Sequence, residues 1–279
     1  MTLFRFNRVA IRYMTLNEKF IKLKKNLKNM EQVIVAYSGG VDSTFLLKAA
    51  SVTGLDRVLA VTASSETLPQ EELSYAREIA SALNIEHRVI TTEELKDKNF
   101  SDNPPERCYY CKKELFTKLK DIAAKENFSF IIDGTNADDV HDHRPGRRAA
   151  QEMGVCSPLL DAELGKRDIR EISSSLGLPT WNKPATPCLS SRFPYGQRIT
   201  AEGLERVHRA ENFLKNFGLT ELRVRDHAGI ARIEVLPEEF PKLINKDARG
   251  EIITFLKSLG YKYITIDLQG FRSGSLNEK

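Results

Sequence analysis

The sequence lacks the features of a membrane or secreted protein. No apolar run approaches the roughly 18 residues that a helix needs to cross a bilayer. Charged residues interrupt every short apolar run near the start of the chain, so no secretory signal is predicted. Four cysteines in 279 residues are too few for a disulfide scaffold. We therefore expect a cytoplasmic protein without membrane contact, whose thiols stay reduced and available to a metal.

The chain also has little excess charge of either sign. Its net charge is +4, from 42 basic and 38 acidic residues. This small positive balance suits a nucleotide or phosphate ligand, but it falls short of the dense basic surface of a nucleic-acid-binding protein. A small-molecule nucleotide is therefore the expected partner, and nucleic acid is not.

Strand and helix patterns alternate through the first two thirds of the chain. Short β-branched runs such as "QVIVAY" and "RVLAVTA" are typical of buried strands, and amphipathic helical patterns separate them. This alternation predicts an α/β fold with a parallel sheet and helices on both faces. An α-β-β-α-β pattern follows a loop rich in Pro and Ser. We predict a first domain over residues 1–188 and a smaller α/β domain over residues 189–279, for substrate binding or oligomerisation.

The hexapeptide "SGGVDS", here called the phosphate loop (residues 38–43), links a predicted buried strand to a predicted helix. Gly39 and Gly40 allow a tight turn and a close approach to an anion, and the free amides of a helix start favour phosphate. Ser38 and Ser43 add hydroxyl donors, and Asp42 is placed to reach a metal ion bound to the phosphates. The loop is not a Walker motif, because G-x-x-x-x-G-K-[ST] is absent from the sequence.

Two residues separate Cys108 from Cys111. This spacing is compatible with a redox disulfide, a metal site, an iron–sulfur cluster or inert thiols. Cys188 lies in a loop flanked by prolines, and such loops often carry function. Structural zinc takes four protein ligands, and no obvious fourth Cys or His accompanies these three. Cys156 lies among apolar residues and is predicted to be a buried structural thiol.

The segment "AYSGGVDSTFLL" resembles the PP-loop of the ATP pyrophosphatases. "DGTNADD" (133–139) resembles the second nucleotide-side loop of that superfamily, and "SSET" (64–67) resembles its adenosine side. The resemblance implies that ATP is cleaved between its α and β phosphates and that a substrate is adenylated. It also implies a nucleotide contact at Gly134. Superfamily members that transfer sulfur use a persulfide, a sacrificial cysteine or an iron–sulfur centre.

Most of the chain, from about residue 20 to residue 276, resembles the LarE family of ATP-dependent sulfur transferases. The resemblance rests on "NKPATPCLSSRFPYG", "LRVRDHAGIARIEV", "LGYKYITIDLQGFRSGSLN" and "DHRPGRRAA". It implies that ATP and Mg²⁺ adenylate a carboxylate of pyridinium-3,5-biscarboxylate mononucleotide and that sulfur converts it to a thiocarboxylate. It also implies a homo-oligomer.

The same resemblance implies how the sulfur is held. In some family members the loop cysteine gives up its own sulfur, whereas members with an additional C-x-x-C hold a [4Fe–4S] cluster through three cysteines. Cys108, Cys111 and Cys188 are the corresponding metal ligands here. Three thiolates leave one iron open for an extra sulfide, which an external sulfide source must supply.

Further site residues follow from spacing and from the resemblance. Arg223 and Arg225 alternate along a predicted strand and so share one face, either as a phosphate fork or as a solvated surface. Lys183, Ser191 and Arg192 flank the cysteine, either where a cation steadies a phosphate or a carboxylate, or as solvated surface residues. The resemblance adds Glu211 and Arg272 near the substrate, and with it the catalytic set is Cys188, Arg192 and Glu211.

A charged segment follows the predicted strand "FSFIIDGTN". It contains three carboxylates and the only close pair of histidines, and it is suited to a metal or a substrate. Its members are Asp138, Asp139, His141, Asp142 and His143. The sequence leaves their individual roles open.

Three alternatives remain at this point. In the first, Cys188 is a single-use sulfur donor and the C-x-x-C is structural. In the second, the chain is a tRNA-thiolating PP-loop enzyme, although it shows no added RNA-binding module. In the third, it is a nucleotide-binding module without catalysis. Protein mass after turnover, salt-sensitive tRNA binding and pyrophosphate release separate these hypotheses.

Overall fold

The computed structural model describes residues 14–140, 145–272 and 274–277. Two sheets organise this part of the chain. The strands are β1 (Gln32–Ala36), β2 (Arg57–Ser64), β3 (Glu86–Thr91), β4 (Phe130–Ile132), β5 (Leu222–His227), β6 (Ile230–Val235) and β7 (Tyr263–Ile266). The first four form a parallel sheet in the order β3-β2-β1-β4, and the last three form a second sheet in the order β5-β6-β7. The predicted α/β fold with a parallel sheet is confirmed.

Helices connect the strands of both sheets. They are α1 (Leu16–Lys28), α2 (Val41–Ser51), α3 (Gln70–Ala82), α4 (Lys98–Ser101), α5 (Arg107–Glu126), α6 (Pro145–Glu152), α7 (Pro158–Asp161), α8 (Lys166–Ser175), α9 (Ala201–Lys215), α10 (Phe240–Ile244) and α11 (Lys246–Ser258). Short 3₁₀ helices lie at Glu94–Lys96, Ala137–Val140, Leu189–Arg192, Pro237–Glu239 and Ser275–Asn277. Among the described helices, none has the length and apolar character needed to span a membrane.

The central strand β1 is buried on both faces. Val33 and Val35 pack into the apolar core beneath α1, α2 and α8, while Ile34 and Ala36 pack beneath α5 and α6. Successive side chains of a strand point to opposite faces, so helices on both sides of the sheet require a continuous apolar run. The carboxyl end of β1, which carries the phosphate loop, is therefore fixed by two cores.

The smaller sheet begins with a hairpin. β5 and β6 pair antiparallel through a turn at Ala228 and Gly229, which have φ angles of 51° and 93°. Positive φ at both residues gives the twist that a two-residue hairpin turn needs. β7 joins β6 in parallel, and α9 and α11 cover the apolar face, where Val224 and Ile233 are buried. The opposite face carries the arginines of β5.

Residues 189–199 join the two lobes. The Leu189 amide donates to the Thr67 carbonyl at 3.0 Å, and the side-chain amide of Asn103 donates to the Phe193 carbonyl at 3.3 Å. Leu189 and Phe193 share an apolar core with residues of both lobes. The first sheet precedes the predicted boundary at 188/189 and the second follows it. The division of function between the lobes stays a prediction.

Candidate active site

The phosphate loop closes on itself between β1 and α2. The Ser38 amide donates to Ser43 Oγ at 3.3 Å, and the two hydroxyl oxygens lie 3.1 Å apart. Gly39 has a φ of 70°, and a Cβ added there would lie 2.9 Å from the Cβ of Ala76. Only glycine fits that position. Gly40 is the N-cap of α2 and supplies no side-chain cap, so the first amides of the helix remain for an anion.

Gly134 lies against the start of α2. A Cβ added to it would come 3.0 Å from the backbone nitrogen of Ser43. The preceding residue, Asp133, accepts hydrogen bonds from the Thr135 amide at 3.1 Å and from Ser157 Oγ at 2.8 Å. The turn after β4 is therefore held rigidly beside the phosphate loop. The structure thus brings together the two segments that the sequence indicated for the nucleotide.

Asp42 lies in the first turn of α2 and forms an ion pair with Lys166, whose Nζ is 2.6 Å from Oδ2. Its other oxygen, Oδ1, is buried and has no hydrogen-bond partner within the described chain. A carboxylate oxygen left without a partner is a suitable ligand for a hard divalent cation. Asp42 therefore fits the metal role that the sequence indicated.

The acidic segment after β4 supports local structure. Asp138 Oδ2 accepts the Lys166 amide at 2.7 Å at the start of α8, and Asp139 Oδ2 accepts the Asn136 amide at 3.0 Å. The other members of the segment, His141, Asp142 and His143, lie outside the described residues.

Helix α5 carries the C-x-x-C pair. It begins at Arg107, so Cys108 and Cys111 both lie at its N-terminal end. Residues at i and i+3 of a helix are neighbours on its surface. Cys108 is exposed and Cys111 is partly buried. The two thiols therefore border the same end of the helix.

Cys188 approaches this pair from another part of the chain. Burial raises the pKa of the Cys111 thiol well above its ordinary value, and the negative charges of Glu94, Cys188 and Cys108 raise it further. Cys111 also packs against the apolar core that contains Leu189, the residue that follows Cys188. We call these three cysteines the sulfur site.

The sulfur site is not a closed coordination sphere. None of the four cysteines forms a disulfide. Throughout residues 14–140, 145–272 and 274–277, no group of three or more His, Cys, Asp or Glu side chains is arranged to hold a metal ion. Cysteine thiolates are the ligands of iron–sulfur clusters, so the chemistry of the three donors fits such a cluster.

Two arginines fix the backbone around Cys188. Arg192 forms a two-bond ion pair with Glu211, at 2.8 and 3.0 Å, and donates through Nη1 to the Pro187 carbonyl at 2.9 Å. Although burial opposes the charge, the Glu211 carboxylate keeps the pKa of Arg192 above its ordinary value. Glu211 also accepts the Val224 amide at 2.9 Å. This pair therefore anchors the cysteine loop to strand β5.

The second arginine is Arg225. It forms a buried two-bond ion pair with Glu234, at 3.0 and 2.9 Å. It also donates to the Ser191 carbonyl at 2.6 Å and to Ser275 Oγ at 2.8 Å. Its guanidinium is thus committed to protein groups, and direct contact between Arg225 and a phosphate stays a prediction.

Arg223 shares this face of β5 but has a different environment. It is buried, stacks over Phe271 and donates to the Arg272 carbonyl at 3.4 Å. It forms no ion pair with any described carboxylate. Burial, together with the positive charges of Arg225 and Arg192, lowers its pKa to about 10. A buried cation beside two like charges favours an anionic ligand.

Lys183 was noted in the sequence only for its position near the cysteine. Its Nζ lies 3.3 Å from the Gly39 carbonyl and 2.8 Å from Glu72. The segment that leads to Cys188 therefore touches the phosphate loop. Cys156 forms a β-bridge with Ile132 at the edge of the first sheet and is partly buried, which raises its pKa. A structural role for this thiol stays a prediction.

Sequence patterns did not indicate Glu94, Lys166 or Glu234, each of which is a single charged residue outside any motif. The partners of Lys166 and Glu94 are distant in sequence, whereas Glu234 pairs within its own hairpin. One signal for Lys166 was available. Gly165 precedes a predicted helix, which places the backbone amide of Lys166 at a helix N-terminus.

The chain is similar in sequence to several known proteins. Residues 32–102 match the family described as queuosine biosynthesis protein QueC. The chain is 42% identical, over 94% of its length and 98% of the relative, to an uncharacterized protein of Synechocystis sp.. It is 41% identical to the pyridinium-3,5-bisthiocarboxylic acid mononucleotide synthase of Lactiplantibacillus plantarum, over 95% of each chain.

A solved structure is also similar. NMN synthetase from Francisella tularensis matches with a TM-score of 0.48 and 20% identity, over 62% of this chain and 76% of that one.

Proposed function

The chain belongs to the LarE family of ATP-dependent sulfur transferases, and from this premise we propose that it converts pyridinium-3,5-biscarboxylate mononucleotide to the thiocarboxylate. ATP adenylates a carboxylate of the substrate, and a sulfur nucleophile then displaces AMP. The observation that carries the proposal is the phosphate loop, which the segment leading to Cys188 touches through Lys183, in a chain that is 41% identical to a named synthase over 95% of its length.

The adenylation step uses the phosphate side of the site. The phosphate loop and the free amides of α2 hold the β and γ phosphates, and Gly134 lets the second loop approach them. Asp42, with its unpartnered Oδ1, would hold Mg²⁺, which offsets the phosphate charge when bound. The substrate carboxylate attacks the α phosphorus, and pyrophosphate leaves into the loop.

The sulfur step uses the other side. We propose that Cys108, Cys111 and Cys188 ligate a [4Fe–4S] cluster. When bound, such a cluster supplies an open iron that holds a sulfide from an external source. The protein's own contribution is positional: Arg192 and Glu211 fix the backbone at Cys188, and helix α5 fixes the other two thiols. Arg223, with Arg272 nearby, provides the site for the substrate phosphate.

Cys188 as a sacrificial donor is the second candidate, and one observation favours it. Cys188 is exposed, so an activated substrate can reach its sulfur. In that mechanism each protein chain acts once and loses the mass of one H₂S. The proposal in either form includes a cytoplasmic homo-oligomer and no nucleic-acid partner.

Protein purified and reconstituted without oxygen distinguishes the two. We expect about four iron atoms per chain, as in a [4Fe–4S] cluster, and several thiocarboxylates per chain when sodium sulfide is supplied. Cys108→Ala, Cys111→Ala and Cys188→Ala should each lose both, while Cys156→Ala, the matched control, should keep both. One product per chain and a protein lighter by H₂S would reject the cluster in favour of Cys188 as donor.

A further inference from the structure

Glu94 is a buried carboxylate that neither the fold nor the proposed set of site residues explains. It is only 3% exposed and opens the 3₁₀ helix Glu94–Lys96. Oε1 accepts hydrogen bonds from Ser65 Oγ at 2.6 Å and from Thr67 Oγ1 at 2.8 Å. Oε2 is buried and has no hydrogen-bond partner in the described part of the chain. No described lysine or arginine pairs with Glu94.

This arrangement is costly for stability alone. Burying a carboxylate without a cation destabilises a fold, and so does leaving a buried acceptor without a hydrogen-bond donor. A glutamine would accept the same two hydroxyl hydrogen bonds without a charge. A residue of this kind is therefore better explained by chemistry that needs a proton acceptor.

Three contacts locate Glu94 at the sulfur site. Its partner Thr67 accepts the Leu189 amide, next to Cys188, at 3.0 Å. The neighbouring Leu95 packs with Cys111 against the apolar core that contains Leu189. The charge of Glu94 also acts on the Cys111 thiol. No hydrogen bond joins Glu94 to any of the three cysteines.

We propose that Glu94 is the proton acceptor of the sulfur-transfer step, a role that rests on the proposed function. The nucleophile is of the hydrosulfide class and carries one proton. Its sulfur forms a bond to the carbonyl carbon of the acyl-adenylate, and the bond from that carbon to the AMP oxygen breaks. AMP leaves with the electron pair. The S–H proton passes to Glu94 Oε2, and the product is a thiocarboxylate anion.

The test separates the two half-reactions in Glu94→Gln, which keeps the hydrogen bonds to Ser65 and Thr67. With ATP, the biscarboxylate mononucleotide and sodium sulfide, we expect pyrophosphate release within about twofold of wild type. Thiocarboxylate formation should be slowed about 100-fold, the usual scale for loss of a general base. Glu93→Gln is the matched control, because Glu93 is an exposed neighbour that pairs with Lys96.

Chemical rescue gives a readout that a scaffold role would not move. Glu94→Ala leaves a cavity for a small carboxylate, and added formate should restore its sulfur transfer in proportion to its concentration. In metal-free protein, Glu94→Gln should also speed alkylation of Cys111, since a nearby negative charge is removed. This readout needs no turnover.

The outcomes are distinct. A Glu94→Gln variant that forms thiocarboxylate at the wild-type rate overturns the inference, and so does a folded Glu94→Ala variant that formate does not rescue. If Glu94→Gln fails to fold, the formate experiment decides. Wild-type protein that makes no thiocarboxylate rejects the proposed function, and the inference with it.

Discussion

The phosphate loop is one unbroken stretch of six residues, whereas the sulfur site takes Cys108 and Cys111 from helix α5 and Cys188 from the loop between the lobes. The phosphate loop needs only a strand end, two glycines and a helix start. The sulfur site needs ion pairs from the second lobe to hold one of its three members. The phosphate loop therefore depends on local backbone geometry, whereas the sulfur site depends on contacts of charged side chains from other parts of the chain.

Adding a single side chain at Gly39 should disrupt the phosphate loop. Gly39→Val should slow pyrophosphate release on the order of 1000-fold. The left-handed φ costs about 1–2 kcal/mol, and displacing the loop by about 1 Å costs about 100-fold in rate. Iron binding by the three cysteines should persist. Pyrophosphate release and iron content measure the two effects.

Gly54→Ala is the control for this substitution. Gly54 also has a positive φ, of 73°, but nothing lies within 4 Å of an added Cβ. It should lose stability without losing pyrophosphate release. Equal losses of activity in both variants would show that a general loss of stability, and not displacement of the phosphate loop, slows pyrophosphate release.

The two arginines of β5 provide the next test, because they differ in their partners. Arg225→Met leaves Glu234 buried with only Arg232 as a partner, and the loss in unfolding free energy should be about 3 kcal/mol. Arg223→Met removes a cation that has no described carboxylate partner. It should leave stability unchanged or higher.

The effects of the two substitutions should be reversed in substrate binding, where Arg223→Met should have the larger effect. Arg223→Met should raise KM for the mononucleotide about 10- to 100-fold, the loss of a charge-assisted hydrogen bond of about 1.5–3 kcal/mol. Thermal denaturation and steady-state kinetics on both variants check the contrast. An Arg223→Met variant with unchanged KM would remove Arg223 from the phosphate site.

The smallest expected effect concerns the thiols themselves. In metal-free protein near pH 8, Cys111 should be alkylated at least about tenfold more slowly than Cys188, because its raised pKa keeps it protonated and the thiolate is the nucleophile. The raised pKa of Cys111 also gives the direction in which stability changes with pH. A raised pKa stabilises the fold below the ordinary thiol pKa, and that contribution is lost as pH rises above it.

Peptide mass analysis after iodoacetamide treatment measures these rates. Cys111→Ala should remove the corresponding alkaline loss of stability, while Cys156→Ala, at a structural position, is the comparison. Equal alkylation of Cys111 and Cys188 would contradict the burial and charge described for Cys111.

The contrast between the two regions also explains what the sequence could predict. The parallel sheet and the phosphate loop follow from local pattern, because strand, glycine turn and helix start are adjacent in the chain. The three cysteines were predicted as a set from family resemblance. Lys166 was not found, because it lies 124 residues from its partner Asp42. The separate environments of Arg223 and Arg225 were not found either, since alternation places both on one face but does not say which one meets a carboxylate.

The anchoring of the cysteine loop by Arg192 and Arg225 has a consequence for how the enzyme loses activity. Both anchors end on the second lobe, at Glu211 and Glu234, whereas the phosphate loop is held by the first lobe alone. On gentle heating, a protein whose small lobe loosens first would lose sulfur delivery and the substrate site at Arg223 together, while its phosphate loop would still bind ATP. Binding of ATP is therefore a poor measure of whether a sample is intact.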